Sequence, residues 1–223
     1  MTLDLTIFVD YGPRILLGFW MTIKIVVLAI AFGLPLGVVL ALARRSRLRV
    51  LSWSALAFIE IFRNTPFIIQ VFLIYYVLPF YGLRLPAEQV GVVALAAFGS
   101  AYFAEVIRGG IDAVPSGQLE SARAIGMSDL QAMRHIVLPQ SLAIILPPLT
   151  NQMLSLIKES AILSTITVQE MTMTALRVQG ETFRPFEAFI MIALLYWLLN
   201  EVVAIAMRAL ERRWTTKPVE GEA

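Results

Sequence analysis

The amino-acid sequence predicts an all-α integral membrane protein with five transmembrane helices. Of the 223 residues, 58% are hydrophobic and only 15% are charged, whereas soluble domains contain about 45–50% apolar residues. The mean hydropathy is +0.77. The sequence contains five long apolar runs, and a helix needs about 20 apolar residues to cross a bilayer. We therefore expect a single transmembrane domain over residues 1–223.

The five expected spans cover residues 15–43, 51–80, 89–111, 136–160 and 186–209. We expect a kink at Pro66 in the second span, because proline lacks a backbone donor and clashes with the preceding turn. A short helix is expected over residues 171–178, in the long connection before the fifth span, and disorder is expected over residues 215–223. The start of the chain carries Asp4 and Asp10 but no basic cluster, so no cleaved signal peptide is expected.

The distribution of basic residues indicates the orientation, since cytoplasmic loops are enriched in Lys and Arg. With the amino terminus outside, eleven basic residues fall on the cytoplasmic side and four outside. We therefore expect an external amino terminus and a cytoplasmic carboxyl terminus. The eleven are Arg44, Arg45, Arg47, Arg49, Arg108, Arg123, Arg134, Arg208, Arg212, Arg213 and Lys217, and the four are Arg14, Arg84, Arg177 and Arg184.

Residues 115–134 form a polar segment between the third and fourth spans that predicts two short capped helices. Ser116 is a suitable N-cap, and Glu120 suits the positive end of a first helix. Gly126 is expected to end that helix in the left-handed conformation. Ser128 and Gln131 have the spacing of a capping box at the start of a second helix. Caps alone would equally fit an ordinary connection between two spans.

The same segment carries the spaced pattern E-x-A-x3-G-x9-I-x-L-P, which begins at Glu120 and ends at Pro139. This pattern resembles the EAA loop of the membrane subunits of bacterial ABC importers, with Ser121 where that family usually has Ala. The resemblance implies the type I importer permease fold, with a cytoplasmic coupling-helix loop that docks on an ATP-hydrolysing subunit. The docking residues it implies are Glu120, Ser121, Ala122, Arg123 and Gly126.

Three further stretches are similar to the polar amino-acid permeases, the subfamily of the histidine and glutamine importers. The F-R-N-T-P stretch at 62–66 has Asn64 where the subfamily usually has Gly, and S-A-Y-F-A-E-V-I-R-G-G-I at 100–111 matches throughout. L-I-K-E-S-A-I-L-S at 156–164 is close to the subfamily's L-K-D-T-S-L, with Glu159 in place of the usual Asp. The resemblance covers about residues 22–213, and it leaves the carried solute open.

The resemblance also implies the partners and the location. These are a dimer of ABC ATPase subunits, a second permease subunit that is identical or homologous, and a periplasmic or lipid-anchored solute-binding protein, all at the bacterial inner membrane. The chain lacks a G-x4-G-K-[ST] phosphate loop, so ATP and Mg²⁺ are expected on the partner ATPase and no cofactor on this chain. Membrane lipid is an expected contact, and nucleic acid is not.

The predicted substrate pathway combines polar residues of the second and fourth spans: Thr65, Gln70, Asn151, Ser155, Lys158, Glu159 and Ser160. Four of these recur at three- and four-residue spacing on the fourth span and so lie near one helix face. Glu159 suits an ammonium group, and Thr65 and Gln70 offer donors for a carboxylate. Alternatively, these polar groups hold helices together or contact an external partner.

The spans contain other ionisable residues whose roles the sequence leaves open. Glu60 and Arg63 are three residues apart and could pair with each other or contact the solute, whereas Glu105 and Arg108 are expected to pair. Lys24 could reach the outer interface or pair with a neighbouring helix. With one His and no Cys in the chain, we expect no catalytic residue and no metal site.

Three alternatives remain open beside an amino-acid importer subunit. The first is an importer subunit of the same type that carries another small solute, such as an osmolyte or an opine. The second is an intramembrane enzyme, which would need a nucleophile–base or metal cluster that one His and no Cys make hard to build. The third is a passive channel, which would conduct without ATP.

Overall fold

The computed structural model describes residues 6–215, and within this range the chain is helical almost throughout and forms no strand. A short helix α1 (Thr6–Asp10) precedes the long helix α2 (Gly12–Arg44). They are followed by α3 (Arg49–Asn64), α4 (Phe67–Phe72), α5 (Ala87–Asp112), α6 (Ser116–Ala124), α7 (Asp129–Ala132), α8 (Leu138–Glu159), α9 (Met171–Thr182) and α10 (Pro185–Thr215). The expected tail over 215–223 lies almost entirely outside the described residues.

Four of the expected spans are confirmed as helices long and apolar enough to cross a membrane: Gly12–Arg44, Ala87–Asp112, Asp129–Ile166 and Pro185–Trp214. The third of these joins α7 to α8 through a wide π-helical turn, Met133–Val137, and continues as a 3₁₀ turn, Ser160–Ile166. The short helix expected in the last connection is also confirmed, as α9.

The second span differs from the expected kinked helix. Its two halves, Arg49–Asn64 and Phe67–Tyr81, are bent by 110°. Thr65 is extended, with φ −114° and ψ 142°, and Pro66 has ψ 135°. Proline drives the residue before it out of the helical region, so two consecutive residues leave the helix. The result is a full break rather than a bend.

Helices α2 and α5 form the centre of the bundle and pack at unusually short range. A Cβ atom on Gly33 would lie 2.8 Å from the Ala96 carbonyl oxygen, and one on Gly37 would lie 2.7 Å from the Phe103 Cβ. Inside a membrane no hydrophobic effect drives helices together, and small residues at the interface let two helix backbones approach closely. The core around this contact contains Ile25, Ala29, Leu95 and Phe103, each fully buried.

This contact gives the first prediction. Gly33→Ala is expected to destabilise the protein by about 1–3 kcal/mol, because the new methyl group meets a backbone carbonyl that cannot rotate away. Gly109→Ala is the matched control: it lies on α5, has nothing within 4 Å of the added Cβ, and should be neutral or slightly stabilising. Thermal unfolding in mild detergent compares them. Equal melting temperatures for the two variants would contradict the close packing.

A buried carboxylate fixes α9 at one end of the bundle. Glu170 is fully buried and accepts hydrogen bonds from the Thr172 and Met173 amides at 2.8 and 2.7 Å and from the Tyr196 hydroxyl at 2.9 Å. Burial raises the pKa of this carboxyl, while the three donors act in the opposite direction. The α9 helix is thereby joined to α10, and the Met171 amide donates to the Thr22 hydroxyl of α2 at 3.2 Å.

The two ends of the bundle are distinct. The first turns of α2 contact α9, as when Arg14 pairs with Glu181 at 2.6 Å. The last turn of α2 lies at the other end of the bundle. There Arg45, the residue that follows α2, pairs with Asp112, the last residue of α5. The segment with α6 and α7 begins just beyond Asp112. It therefore lies at the opposite end of the bundle from α1 and α9.

Candidate functional site

Helix α6, the first helix of the loop at 115–134, already includes Ser116, so its N-cap is the residue before this serine. Pro115 occupies the N-cap position and Ser116 is the first helical residue, without a capping hydrogen bond, so the predicted Ser116 cap is wrong. Proline fixes φ near the helical value and lacks a donor, which suits it to a helix start.

The end of α6 is as expected. Gly126 has φ +85°, and the amides of Gly126 and Met127 donate to the carbonyls of Arg123 and Ala122 at 2.9 and 3.0 Å. These two bonds form a Schellman motif, which needs a left-handed residue and therefore favours glycine.

The second helix begins with the expected capping box. The Gln131 amide donates to the Ser128 hydroxyl at 3.3 Å, and the Ser128 amide donates to the Gln131 side-chain oxygen at 2.9 Å. Arg123 Nε also donates to Asp129 Oδ1 at 2.8 Å, which joins α6 to α7 across the turn. This hydrogen bond raises the pKa of Arg123. The two short helices are thus held at a defined angle.

The exposed surface of this loop carries two large aliphatic side chains that sequence reasoning missed. Ile125 is 79% exposed and Leu130 is 78% exposed, on either side of Gly126. Of the predicted docking residues, Glu120, Ser121, Arg123 and Gly126 are exposed, whereas Ala122 is 3% exposed and packs inward. Single exposed aliphatic side chains are common on protein surfaces, but these two flank the turn between the two short helices and are available to a partner. The sequence signal that could have revealed Ile125 and Leu130 is the presence of large aliphatic residues within a mostly polar segment.

A network of ion pairs lies just before this loop, at the ends of α2 and α5. Arg108 donates to both oxygens of Glu105 at 3.1 and 2.7 Å and to Asp112 at 2.9 Å, and Asp112 also pairs with Arg45 of the α2–α3 connection. The expected pair of Glu105 with Arg108 is confirmed. Networks of this kind hold geometry better than isolated surface pairs. The ends of α2 and α5 are joined where the loop begins.

At the helix break, one predicted pathway residue is exposed and another is buried. Thr65 is exposed, whereas Gln70 is only 6% exposed and turns inward. Its Nε2 donates to the carbonyls of Phe62 and Thr65 at 2.8 and 3.1 Å and to the Thr65 hydroxyl at 2.8 Å. Gln70 thus satisfies backbone acceptors at the break, a role that the sequence did not indicate.

The suggested pairing of Glu60 with Arg63 is wrong. Glu60 instead accepts from the Asn64 side chain at 2.6 Å, and the Arg63 guanidinium lies over the Tyr102 ring, 5.5 Å from its centroid. The i,i+3 spacing permits a pair, but here each side chain contacts a different residue. Lys24 pairs with Glu88 of the neighbouring helix α5 at 2.5 Å, one of the two outcomes considered.

The polar residues of the fourth span are only partly on one face. Asn151 and Lys158 are exposed, and Ser155 and Glu159 are half-buried. The Ser155 hydroxyl donates to the Asn151 carbonyl at 3.1 Å. Ser160 is fully buried and donates to the Ile157 carbonyl at 2.7 Å, because it lies on the inward side of the following turn. It does not join the exposed face.

Two prolines inside α8 leave two backbone carbonyls of the helix without hydrogen-bond donors. Pro147 and Pro148 lie inside the helix and have no amide hydrogen to donate, so the carbonyls of Ala143 and Ile144 lack their helical donors. Ile144 is itself 43% exposed.

Among residues 6–215, no cluster of His, Asp or Glu is arranged to hold a metal ion.

These features place the chain among known proteins. The sequence pattern of a family described as the binding-protein-dependent transport system inner membrane component matches residues 33–216. The chain belongs to this family. Among solved structures, the crystal structure of an amino acid ABC transporter with histidines superimposes with a TM-score of 0.90 at 40% identity, covering 96% of this chain and all of that one.

Curated relatives agree over nearly the full length. The probable glutamine ABC transporter permease protein GlnM of Bacillus subtilis is 38% identical, over 95% of this chain and 98% of that protein. The octopine transport system permease protein OccM of Rhizobium meliloti is 37% identical, over 92% of this chain and 90% of that protein. The fold is that of a type I ABC importer permease, and the chain is an ABC importer permease of the amino-acid group.

Proposed function

We propose that this importer permease conducts polar amino acids through the membrane and couples to a separate ATPase through residues 115–134. The observation that carries the proposal is the two-helix loop, with a Schellman motif at the end of α6, a capping box at the start of α7, and exposed Ile125 and Leu130. It belongs to a chain whose relatives are named for glutamine transport. A second candidate solute class is the opines, favoured by the similarity to an octopine permease.

The loop is suited to receive force from a partner. Its two helices are short, capped, and joined by the Arg123–Asp129 hydrogen bond, so they move as a unit. The ion pairs of Asp112 with Arg45 and Arg108 join the ends of α2 and α5 at the point where the loop begins. We assign the docking contact to Glu120, Ser121, Arg123 and Gly126, with Ile125 and Leu130 as apolar anchors. The inward-facing Ala122 supports the packing beneath them.

The orientation follows from the position of this loop. An ATPase in the cytoplasm requires the loop to be cytoplasmic, and the positive-inside bias agrees. Because α1 and α9 lie at the other end of the bundle, the amino terminus is then external and the carboxyl terminus cytoplasmic. A solute-binding protein delivers the solute at the external end, and a second permease subunit completes the pathway in the bacterial inner membrane.

The pathway itself runs along polar surfaces that cannot face lipid. Glu60, Asn64 and Thr65 are exposed at the helix break, and Asn151 and Lys158 are exposed on α8. Exposed polar groups and irregular backbone at membrane depth are tolerated only along water-filled cavities or protein contacts. We place Glu159 and Ser155 on the same pathway, Gln70 as the support of the break, and Ser160 as inward packing beside the pathway.

Purification in mild detergent tests the proposal directly. A tagged chain isolated from its host is expected to carry an ATP-hydrolysing subunit, which mass spectrometry identifies. The purified complex in proteoliposomes should then take up labelled glutamine only with ATP, and a panel of amino acids and opines as competitors identifies the solute class. Uptake without ATP would support a channel, and a chain that purifies without an ATPase would contradict the proposal.

A further inference from the structure

Arg63 is a cation in the middle of the membrane-spanning region. Its guanidinium lies over the ring of Tyr102, 5.5 Å from the centroid. Tyr102 is ten residues before Asp112, the last residue of α5, which corresponds to about 15 Å along the helix axis. It is further still from Ala87 at the other end. Arg63 is therefore too deep for its side chain simply to reach a membrane surface, and its charge needs a reason.

The carboxylates around Arg63 are engaged by other groups. Glu60, on the same helix, accepts from Asn64 at 2.6 Å. Glu105 is within electrostatic range of Arg63, but both of its oxygens accept from Arg108. Within residues 6–215, no ion pair joins Arg63 to an acidic residue. The region thus holds a positive charge whose hydrogen-bond donors are not used by any carboxylate among the described residues.

The surroundings hold Arg63 in place and leave it accessible. The Tyr102 ring packs at a tilt of 49° against Phe98, with ring centroids 4.8 Å apart, and Phe98 packs at 48° against Phe67, the first residue of α4, at 4.9 Å. This aromatic row fixes the platform under the guanidinium to the helix break. Arg63, Asn64 and Thr65 are all exposed. A guanidinium stacked on a ring still presents N–H donors at its edge, in the fork geometry that a carboxylate accepts.

We propose that Arg63 binds the carboxylate of the transported amino acid at the helix break. This inference rests on the proposed function and adds a specificity residue to it: the pathway selects solutes that carry a free carboxylate. Glu159 on α8 would then receive the ammonium group, so that the two charges of a zwitterion are met by two different spans. Tyr102 positions Arg63 but does not itself contact the solute.

The test measures binding by the purified permease–ATPase complex in nanodiscs without a solute-binding protein, since that protein would impose its own selection. The probes are labelled L-glutamine and L-histidine and their α-carboxamides, which lack the carboxylate charge, and the remaining common amino acids serve as competitors. The unaltered complex is expected to prefer each acid over its amide. Arg63→Gln should weaken binding of the acid by about 10- to 100-fold and leave binding of the amide unchanged.

Two further variants separate recognition from folding. Arg63→Lys keeps the charge and should retain part of the preference for the acid. Arg84→Gln removes an arginine from the short connection before α5, away from the break, and should leave both affinities unchanged. Equal loss of acid and amide binding in Arg63→Gln would show a structural role and overturn the proposal, as would an unaltered complex that binds acid and amide equally or binds no amino acid. Should Arg63→Gln fail to assemble, the preference of the unaltered complex and of Arg63→Lys decides the matter. A chain without an ATPase would instead refute the proposed function.

Discussion

Gly126→Val is expected to reduce ATP-driven uptake strongly while the protein still inserts and assembles. Gly126 has φ +85°, a conformation that a β-branched residue adopts only at a cost of about 1–3 kcal/mol. Nothing lies within 4 Å of an added Cβ, so the strain acts on the backbone alone. The chain would relieve it by opening the turn between α6 and α7, which moves the docking surface relative to the spans.

The measurement is ATP hydrolysis and solute uptake by the same proteoliposomes. We expect hydrolysis to continue at a rate that no longer responds to solute, and uptake to fall by about tenfold or more. Gly82→Val is the matched control, because Gly82 has φ +82° and equally open surroundings at the other end of α5. It imposes the same strain away from the loop and should preserve coupling. Normal uptake by Gly126→Val would count against a docking role.

Glu159→Gln is expected to reduce uptake far more than it reduces the amount of assembled complex. Glu159 is half-buried near the end of α8, and within the described residues no hydrogen bond or ion pair engages its carboxylate. Removing its charge therefore breaks no hydrogen bond or ion pair within residues 6–215. A lost charge-assisted contact to a solute ammonium group corresponds to about 10- to 100-fold weaker binding. Uptake per assembled complex, measured against solute concentration, should show this as a raised KM.

Glu201→Gln provides the contrast for this variant. Glu201 also lies within a span but pairs with Arg208 at 2.7 Å on the same helix. Removing that charge breaks a contact within the helix and no contact to a solute, so any loss of uptake should be matched by an equal loss of assembled complex. If Glu159→Gln behaves in the same way, with parallel losses, Glu159 has a structural role and the pathway assignment on α8 fails.

The spans and the loop could be predicted because local rules decide them. Apolar runs set the helices, and the Ser128–Gln131 spacing and Gly126 set the caps, so each signal lies within a few residues of its effect. The break at Pro66 was located correctly, but its size was not. Whether a proline bends or breaks a helix depends on the compensation of freed backbone groups, and here Gln70 supplies it from four residues beyond.

Apart from the Glu105–Arg108 pair within α5, most side-chain partners could not be predicted, because they depend on packing between helices. The spacing of Glu60 and Arg63 suggested a pair, yet Tyr102 of α5 takes Arg63 and Asn64 takes Glu60. Ser160 continues a polar run in sequence but faces inward, since one residue rotates the helix by about 100°. Glu170 gave no periodic signal, and only the meeting of α9 with α10 shows that it is buried.

Site-specific cross-linking from Leu130 tests the central claim most directly. The chain contains no cysteine, so Leu130→Cys introduces its only thiol, to which a benzophenone maleimide can be attached. In the assembled transporter we expect illumination to join Leu130→Cys to the ATP-hydrolysing subunit, and Leu83→Cys, exposed at the opposite end of the bundle, to give no such product. A Leu130→Cys thiol that forms no adduct with the ATPase, or that reacts with a membrane-impermeant reagent added outside the cell, would contradict the account.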